Sequence, residues 1–232
     1  MATQVIAHRG ASKAEKENTV SAFKRAVSIG SDAAELDVRR TADGILVVHH
    51  NATLEDDRII SQVQFADLPQ DICTLDAALD ACHPMWVNVE IKNDPLEPDF
   101  DESESIADRT IECLSMRTEG DSRWLISSFR RETIDRCRHL RPTIATAWLT
   151  VGVLPQDALG IVAGLANDGH RALHPWVNLL SRELIDLCHQ HGLEVNTWTC
   201  DDPLRMAELL EWGIDGLCTN QPDIALEVID QR

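Results

Sequence analysis

The sequence predicts a TIM-type (β/α)8 barrel, an α/β fold, with a β-hairpin after its second strand. Three observations lead there. Short apolar runs alternate with helical patterns from end to end, which implies a parallel sheet covered by helices. Nine runs read as strands, and turn chemistry assigns one of them to the return arm of a hairpin. The eight that remain match a closed barrel, and 232 residues suit one such domain of about 250. A single domain over residues 1–232 follows as the expectation. The competing open doubly wound sheet has no GxGxxG or P-loop motif to support it.

The strand candidates are Gln4–His8, Ala33–Val38, Ile45–His49, Trp86–Ile91, Trp124–Phe129, Ile144–Leu149, Ala172–His174, Glu194–Thr199 and Asp215–Thr219. Helical patterns cover 19–29, 75–82, 104–115, 131–140, 156–166, 182–191, 203–212 and 223–230. Several carry end signals. Thr74 is placed to cap the second, Ser181 caps the helix that stops at Gly192, and Asp202-Pro203 opens one that Gly213 closes. The runs before and after Asp43-Gly44 are joined too tightly to be parallel, since a parallel crossover takes a dozen residues or more. Ile45–His49 is therefore the antiparallel arm.

Lys plus Arg number 21 and Asp plus Glu 39, a formal net charge of −18. Such a surface repels nucleic-acid backbones and anionic lipid, so no nucleic-acid partner is expected. A phosphate-bearing substrate would need a local cation to offset the field. No apolar run approaches the roughly 20 residues of a membrane helix, so no membrane insertion is expected. The start MATQVIAHRG has no secretory pattern, which points to the cytoplasm. Seven scattered cysteines without a CxxC pair read as small buried hydrophobes.

Barrel sites gather at the C-terminal ends of the strands. Glu35 and Asp37 are two apart and share one strand face, and Glu90 sits on the next barrel strand. Three convergent carboxylates suit one hard divalent cation, Mg2+ or Ca2+, whereas zinc would favour Cys or His. A buried salt-bridge network with Arg9 and Lys92 explains the same residues equally well. A hairpin centred on Asp43-Gly44 pairs residues summing to about 87, which places His50 beside Asp37. His8 ends the neighbouring first strand. Two histidines flanking a cation suit phosphodiester cleavage, one taking a proton from the attacking hydroxyl and the other giving one to the leaving alcohol. Arg9 offers a fork for phosphate oxygens and Lys92 a point charge. His49 alternates away. His174 and Trp198, at the ends of later strands, are weaker candidates for the substrate pocket. The acidic stretch 93–108 reads as a solvated loop entering a helix, with a second metal site as the lesser alternative.

AHRG (7–10), ENT (17–19), ELDV (35–38), DG with LVVHH (43–50), VEIK (89–92), SSF (127–129), LHPW (173–176), NTWT (196–199) and DGLCTNQPD (215–223) together resemble the glycerophosphodiester phosphodiesterase family. The resemblance implies a TIM barrel, a divalent-cation cofactor, and hydrolysis of a small-molecule glycerophosphodiester to glycerol 3-phosphate and an alcohol. It implies His8 and His50 as the catalytic pair, Glu35, Asp37 and Glu90 as metal ligands, and Arg9 and Lys92 as phosphate contacts. Three positions depart from the family pattern. Asn51 stands where Asp usually follows the second histidine, the stretch 51–72 is short, and Lys16 replaces a common Pro. Two other readings are a sphingomyelinase D-like phospholipase, which fits poorly with a charge of −18 and no apolar patch, and a non-catalytic binding protein, which rests on Asn51 alone.

Overall fold

Eight parallel strands pair side to side until the last meets the first, so no edge is left open. The computed structural model describes residues 2–231. In chain order the elements are β1 (Gln4–His8), α1 (Val20–Ile29), β2 (Ala33–Arg40), β3 (Leu46–Val48), α2 (Leu75–Ala81), β4 (Trp86–Ile91), α3 (Ser105–Ser115), β5 (Trp124–Ser128), α4 (Arg131–Leu140), β6 (Ala145–Thr150), α5 (Pro155–Asn167), β7 (Ala172–Pro175), α6 (Arg182–Gln190), β8 (Glu194–Thr197), α7 (Pro203–Glu211), β9 (Gly216–Thr219) and α8 (Pro222–Asp230). The order around the barrel is β1-β9-β8-β7-β6-β5-β4-β2, and β2 pairs with β1 to close it. The predicted TIM barrel is what forms. No helix among the described residues is long and apolar enough to cross a membrane.

Alternation along the strands sorts the residues into two sets. Leu36, Val38, Val87, Val89 and Ile91 join Phe23, Leu75 and Leu79 in the layer between strands and helices. The opposite set points into the barrel. In register, His8 lies beside Glu35 and Glu35 beside Asn88. One row further along, Asp37 lies beside Glu90 and Glu90 beside Ser127. The inner surface is thus polar at its C-terminal end. The predicted caps also form: Thr74, Ser181 and Asp202 accept from the amides of Ala77, Leu184 and Leu204.

The hairpin departs from the predicted register by one. Val38 pairs with Val48, Arg39 with Val47 and Arg40 with Leu46. The Thr41 amide bonds to the Ile45 carbonyl at 3.0 Å, so the turn holds three residues, with Gly44 left-handed at φ 81°. Its centre is Asp43 and not the Asp43-Gly44 bond. His49, not His50, therefore stands opposite Asp37, and its amide donates to the Asp37 carbonyl at 2.9 Å. Strand ends also shift. β5 stops at Ser128, where the Ser128 hydroxyl takes the Arg130 amide at 3.2 Å, and β8 stops at Thr197. Phe129 and Trp198 are thereby released to the barrel mouth.

The loop after β1 is tightly held. Gly10 has φ 81°, and a Cβ there would meet the Ala22 backbone carbon at 2.6 Å. Gly10→Ala is expected to lose ~2 kcal/mol of stability, because it combines left-handed strain with a backbone clash. Urea denaturation of the two proteins measures this; a loss near zero would show that the loop moves freely away from α1.

Candidate active site and metal centre

The end of β1 leads directly into the site. Arg9 is left-handed at φ 57°, unusual for a residue with a side chain. That conformation aims its amide at Glu35 Oε2, 2.9 Å away, while its Nε lies 3.1 Å from Asp37 Oδ2 and its Nη1 3.0 Å from Glu17 Oε1. Asn18, also left-handed at φ 57°, donates from Nδ2 to Asp37 Oδ2 at 2.8 Å. Lys92 Nζ reaches Glu90 Oε1 at 2.8 Å and Asp37 Oδ1 at 3.6 Å. Glu35, Asp37 and Glu90 are all buried, and each offers an oxygen within 4.8 Å of the others.

The salt-bridge network of the second reading therefore exists, yet it does not satisfy the cluster. Glu35 Oε1 and Asp37 Oδ1 are buried without a hydrogen-bond partner. Burial, followed by repulsion from Asp37 and Glu90, pushes the Glu35 carboxyl well above its ordinary range. Burial also raises Glu90, partly offset by Lys92. Burial opposes ionisation of Asp37 too, but Lys92 and Arg9 outweigh it and hold that carboxyl down at about 2. Orphaned oxygens in a hard all-carboxylate set fit a divalent cation, which would relieve the repulsion.

The two histidines are presented alike. His8 Nδ1 lies 2.7 Å from Asn220 Oδ1. Asn220 Nδ2 donates to Asp201 Oδ2 at 2.6 Å, and a carboxylate accepts only, so Asn220 must show His8 its oxygen. Nδ1 of His8 thus carries the proton, and Nε2 is free. His50 Nδ1 faces Asn51 Oδ1 at 2.8 Å, which leaves its Nε2 free as well. Burial lowers the pKa of both rings, with Arg9 adding to the effect at His8. Despite the shifted register, His50 reaches the cavity because β3 ends at Val48 and alternation stops there. His49 turns instead to the Asn51 carbonyl at 2.8 Å.

A cavity of about 230 Å3 brings His8, Arg9, Glu35, His50, Glu90, Lys92, His174 and Trp198 together, with Asp37 buried beneath. That size suits a small polar substrate, below the roughly 300 Å3 at which drug-sized sites begin. Phe129 and Trp198 stand edge to face at 5.4 Å and form an apolar wall. His174 lies on the floor. Its Nε2 is 3.0 Å from Asn196 Nδ2, and burial alone lowers its pKa to about 3.

The sequence profile described as the Glycerophosphoryl diester phosphodiesterase family matches residues 8–224. The chain belongs to this family. It is a phosphoric diester hydrolase. A glycerophosphodiester phosphodiesterase of Caldanaerobacter subterraneus subsp. tengcongensis is 30% identical over 259 residues, spanning 99% of this chain and 98% of that one. An Oleispira antarctica phosphodiesterase, solved with the product sn-glycerol-3-phosphate, superposes with a TM-score of 0.87 at 24% identity, covering 99% and 97% of the two chains. A putative glycerophosphoryl diester phosphodiesterase from Silicibacter pomeroyi gives 0.86 at 22% identity, covering 99% and 94%. At these identities the two structures establish the barrel.

Several residues of this family member's site escaped sequence reasoning as individuals. Glu17, Asn18 and Phe129 lie in the ENT and SSF segments, and Asn220 in the last quoted motif. Asp201 and Arg39 carried no signal. The acidic stretch also differs from expectation. Asp99 pairs with buried Arg39 at 2.7 Å, and Glu104 with Arg130 at 2.7 Å, so part of the run is anchored and not solvated. Among the described residues, the metal-competent group is Glu35, Asp37 and Glu90; the acidic stretch contributes none.

His174 gives a pH signature. Its ring takes up a proton near pH 6.5 when unfolded but only near 3 when folded, so acidification favours the unfolded chain between those values. Stability present above pH 6.5 is lost as pH falls. In His174→Gln, which removes the titrating ring, the drop in unfolding free energy from pH 7 to 5 should be smaller by about 2 kcal/mol. Denaturant titrations at both pH values check this; equal drops in the two proteins would contradict a buried neutral ring.

Proposed function

We propose that the chain hydrolyses glycerophosphodiesters, the deacylated forms of phospholipids, to glycerol 3-phosphate and an alcohol, with one Mg2+ or Ca2+ ion. Residues 1–232 would act as one catalytic domain. Seven cysteines, all free thiols, suit the reducing cytoplasm as its setting. The observation that carries the reading is the meeting of His8 and His50 in one small cavity with Glu35 and Glu90, two members of an undersatisfied carboxylate triad whose third, Asp37, is buried beside them.

Glu35, Asp37 and Glu90 would hold the cation. When bound, it supplies positive charge to the phosphoryl oxygens. Arg9 and Lys92 add fixed charge at the same mouth and orient the phosphate. The attacking oxygen, of water or of the substrate's own hydroxyl, bonds to phosphorus as the phosphorus–oxygen bond to the head-group alcohol breaks; in the second case water then opens the cyclic phosphate to give glycerol 3-phosphate. One histidine Nε2 takes the proton from the attacking oxygen and the other gives one to the leaving oxygen. The base uses a bare Nε2, and the acid is an imidazolium that carries a second proton on Nε2; the contacts of Nδ1 with Asn220 and Asn51 are compatible with both forms.

A phospholipase reading has one observation in its favour. Val151, Leu154 and Leu179 are 53%, 61% and 56% exposed around a hollow of about 820 Å3, so the expectation of no apolar patch is corrected. Val151 also borders the small hollow that contains Glu90, Lys92 and Phe129.

Metal-stripped protein incubated with glycerophosphocholine, glycerophosphoethanolamine or a lysophospholipid tests both readings. Metal-dependent release of glycerol 3-phosphate is expected. Faster release of the head-group alcohol from the lysophospholipid, leaving acylated glycerol phosphate, would favour the phospholipase, and no release of alcohol or glycerol 3-phosphate from folded protein with either ion would overturn the proposal. His50→Ala should lose about 10²–10⁴-fold in kcat while still binding the ion. By calorimetry, Glu90→Gln should bind the ion at least ~10-fold more weakly; unchanged affinity would remove Glu90 from the ligand set.

A further inference from the structure

We propose that Arg39 is a positioning residue that fixes His50, and that the acidic segment carrying Glu97 and Asp99 is its counter-charge. The inference rests on the proposed role of His50 in proton transfer. Arg39 follows Asp37 by two on β2 and shares its face. It is 0% exposed. Its Nε donates to the His50 carbonyl at 2.9 Å, and Nη2 donates to the same oxygen at 2.5 Å. Nη1 donates to Asp99 Oδ2 at 2.7 Å and Nη2 to Glu97 Oε1 at 3.0 Å.

The arrangement answers two needs at once. A buried guanidinium must be paired, and the two carboxylates do that. His50 lies just past the last inter-strand bond, from the His49 amide to the Asp37 carbonyl, so strand pairing does not hold its own carbonyl. Among the described residues, its ring hydrogen-bonds to the neighbouring Asn51 side chain. Two parallel donors on one carbonyl set both the position and the direction of that peptide, and so the direction in which the ring leaves it. Lysine would supply charge for Glu97 and Asp99 but not this fork.

The test compares Arg39→Lys and Arg39→Met with the parent, at saturating cation and with glycerophosphocholine as substrate. Arg39→Lys keeps charge and stem, so it should fold; Arg39→Met leaves Asp99 unpaired and is the riskier variant. We expect kcat to fall about tenfold or more in Arg39→Lys, with KM and cation affinity within about twofold, because displacement of a reacting group penalises turnover and not binding. In protein labelled with 13C-histidine, the His50 ring resonance should shift or broaden while that of His8 holds. Unchanged kcat and an unmoved His50 resonance in folded Arg39→Lys would overturn the inference. Unfolding of Arg39→Lys, or an equal loss of cation affinity, would also overturn it, assigning Arg39 to the scaffold or to the carboxylates. His50→Ala run alongside separates the two readings. If it is inactive while Arg39→Lys is fully active, only the positioning role falls; if it is active, the histidine role falls first.

Discussion

Three carboxylates buried within reach of one another, with too little positive charge among them, set the terms for everything around the barrel mouth. Like charges at such distances cannot all ionise in a low-dielectric site unless something compensates them. Arg9 and Lys92 compensate in part, and Arg9 is itself shared with Glu17. The result is uneven: Asp37 stays ionised while Glu35 and Glu90 are pushed upward. Local geometry serves this cluster. Two left-handed non-glycine residues, Arg9 and Asn18, aim an amide and a side-chain donor at it, and such backbone strain persists only where the surroundings over-determine it. A net charge of −18 makes the need for a cation here sharper, since the wider field repels a phosphate.

The two histidine rings meet the same kind of partner, with different support behind it. His8 is held by a relay in which Asp201 fixes Asn220 and Asn220 fixes the ring, with Ser12 also donating to Asn220 Oδ1 at 2.8 Å. Burial lowers the His8 pKa most, and the hydrogen bond to Asn220 offsets part of that effect. At His50 the neutral Asn51 plays the same part. Burial lowers the His50 pKa, and the hydrogen bond to Asn51 offsets part of it, less than the charge of an aspartate would. Each ring thus meets the oxygen of a neutral asparagine, Asn220 at His8 and Asn51 at His50.

Much of this was legible in the sequence, and the physical reasons are specific. Strand alternation put Glu35, Asp37 and Glu90 on one face because the period of two leaves no freedom. Cap residues marked helix starts because they bond within three residues of themselves. Contacts between distant segments were not legible. Asp201 meets Asn220 across the end of the barrel, and Arg39 meets Asp99 across 60 positions; neither pairing leaves a local pattern. The hairpin lay between these cases. Asp43-Gly44 gave its place, but whether Gly44 closes a two- or three-residue turn depends on backbone geometry that the dipeptide does not encode. The register differs by one residue from the expected sum, and His50 still reaches the cavity because it lies beyond the last strand pair.

The floor of the cavity shows what this chemistry demands of the fold. A barrel interior is normally packed with branched apolar side chains. Here Asn88, Ser127, His174 and Asn196 are buried inside, and Asn88 Oδ1 and Ser127 Oγ lack partners. Each such group costs about 1–3 kcal/mol of desolvation. Gly216 is needed to admit this layer, since a Cβ there would stand 2.3 Å from Asn196 Oδ1. The stabilising layer is accordingly displaced outward, to the apolar shell between strands and helices, where Leu36, Val38, Val87, Val89 and Ile91 are fully covered. One set of strand residues secures the barrel while the alternate set carries the polarity. That division lets the interior hold charge that a core packed on both faces would exclude.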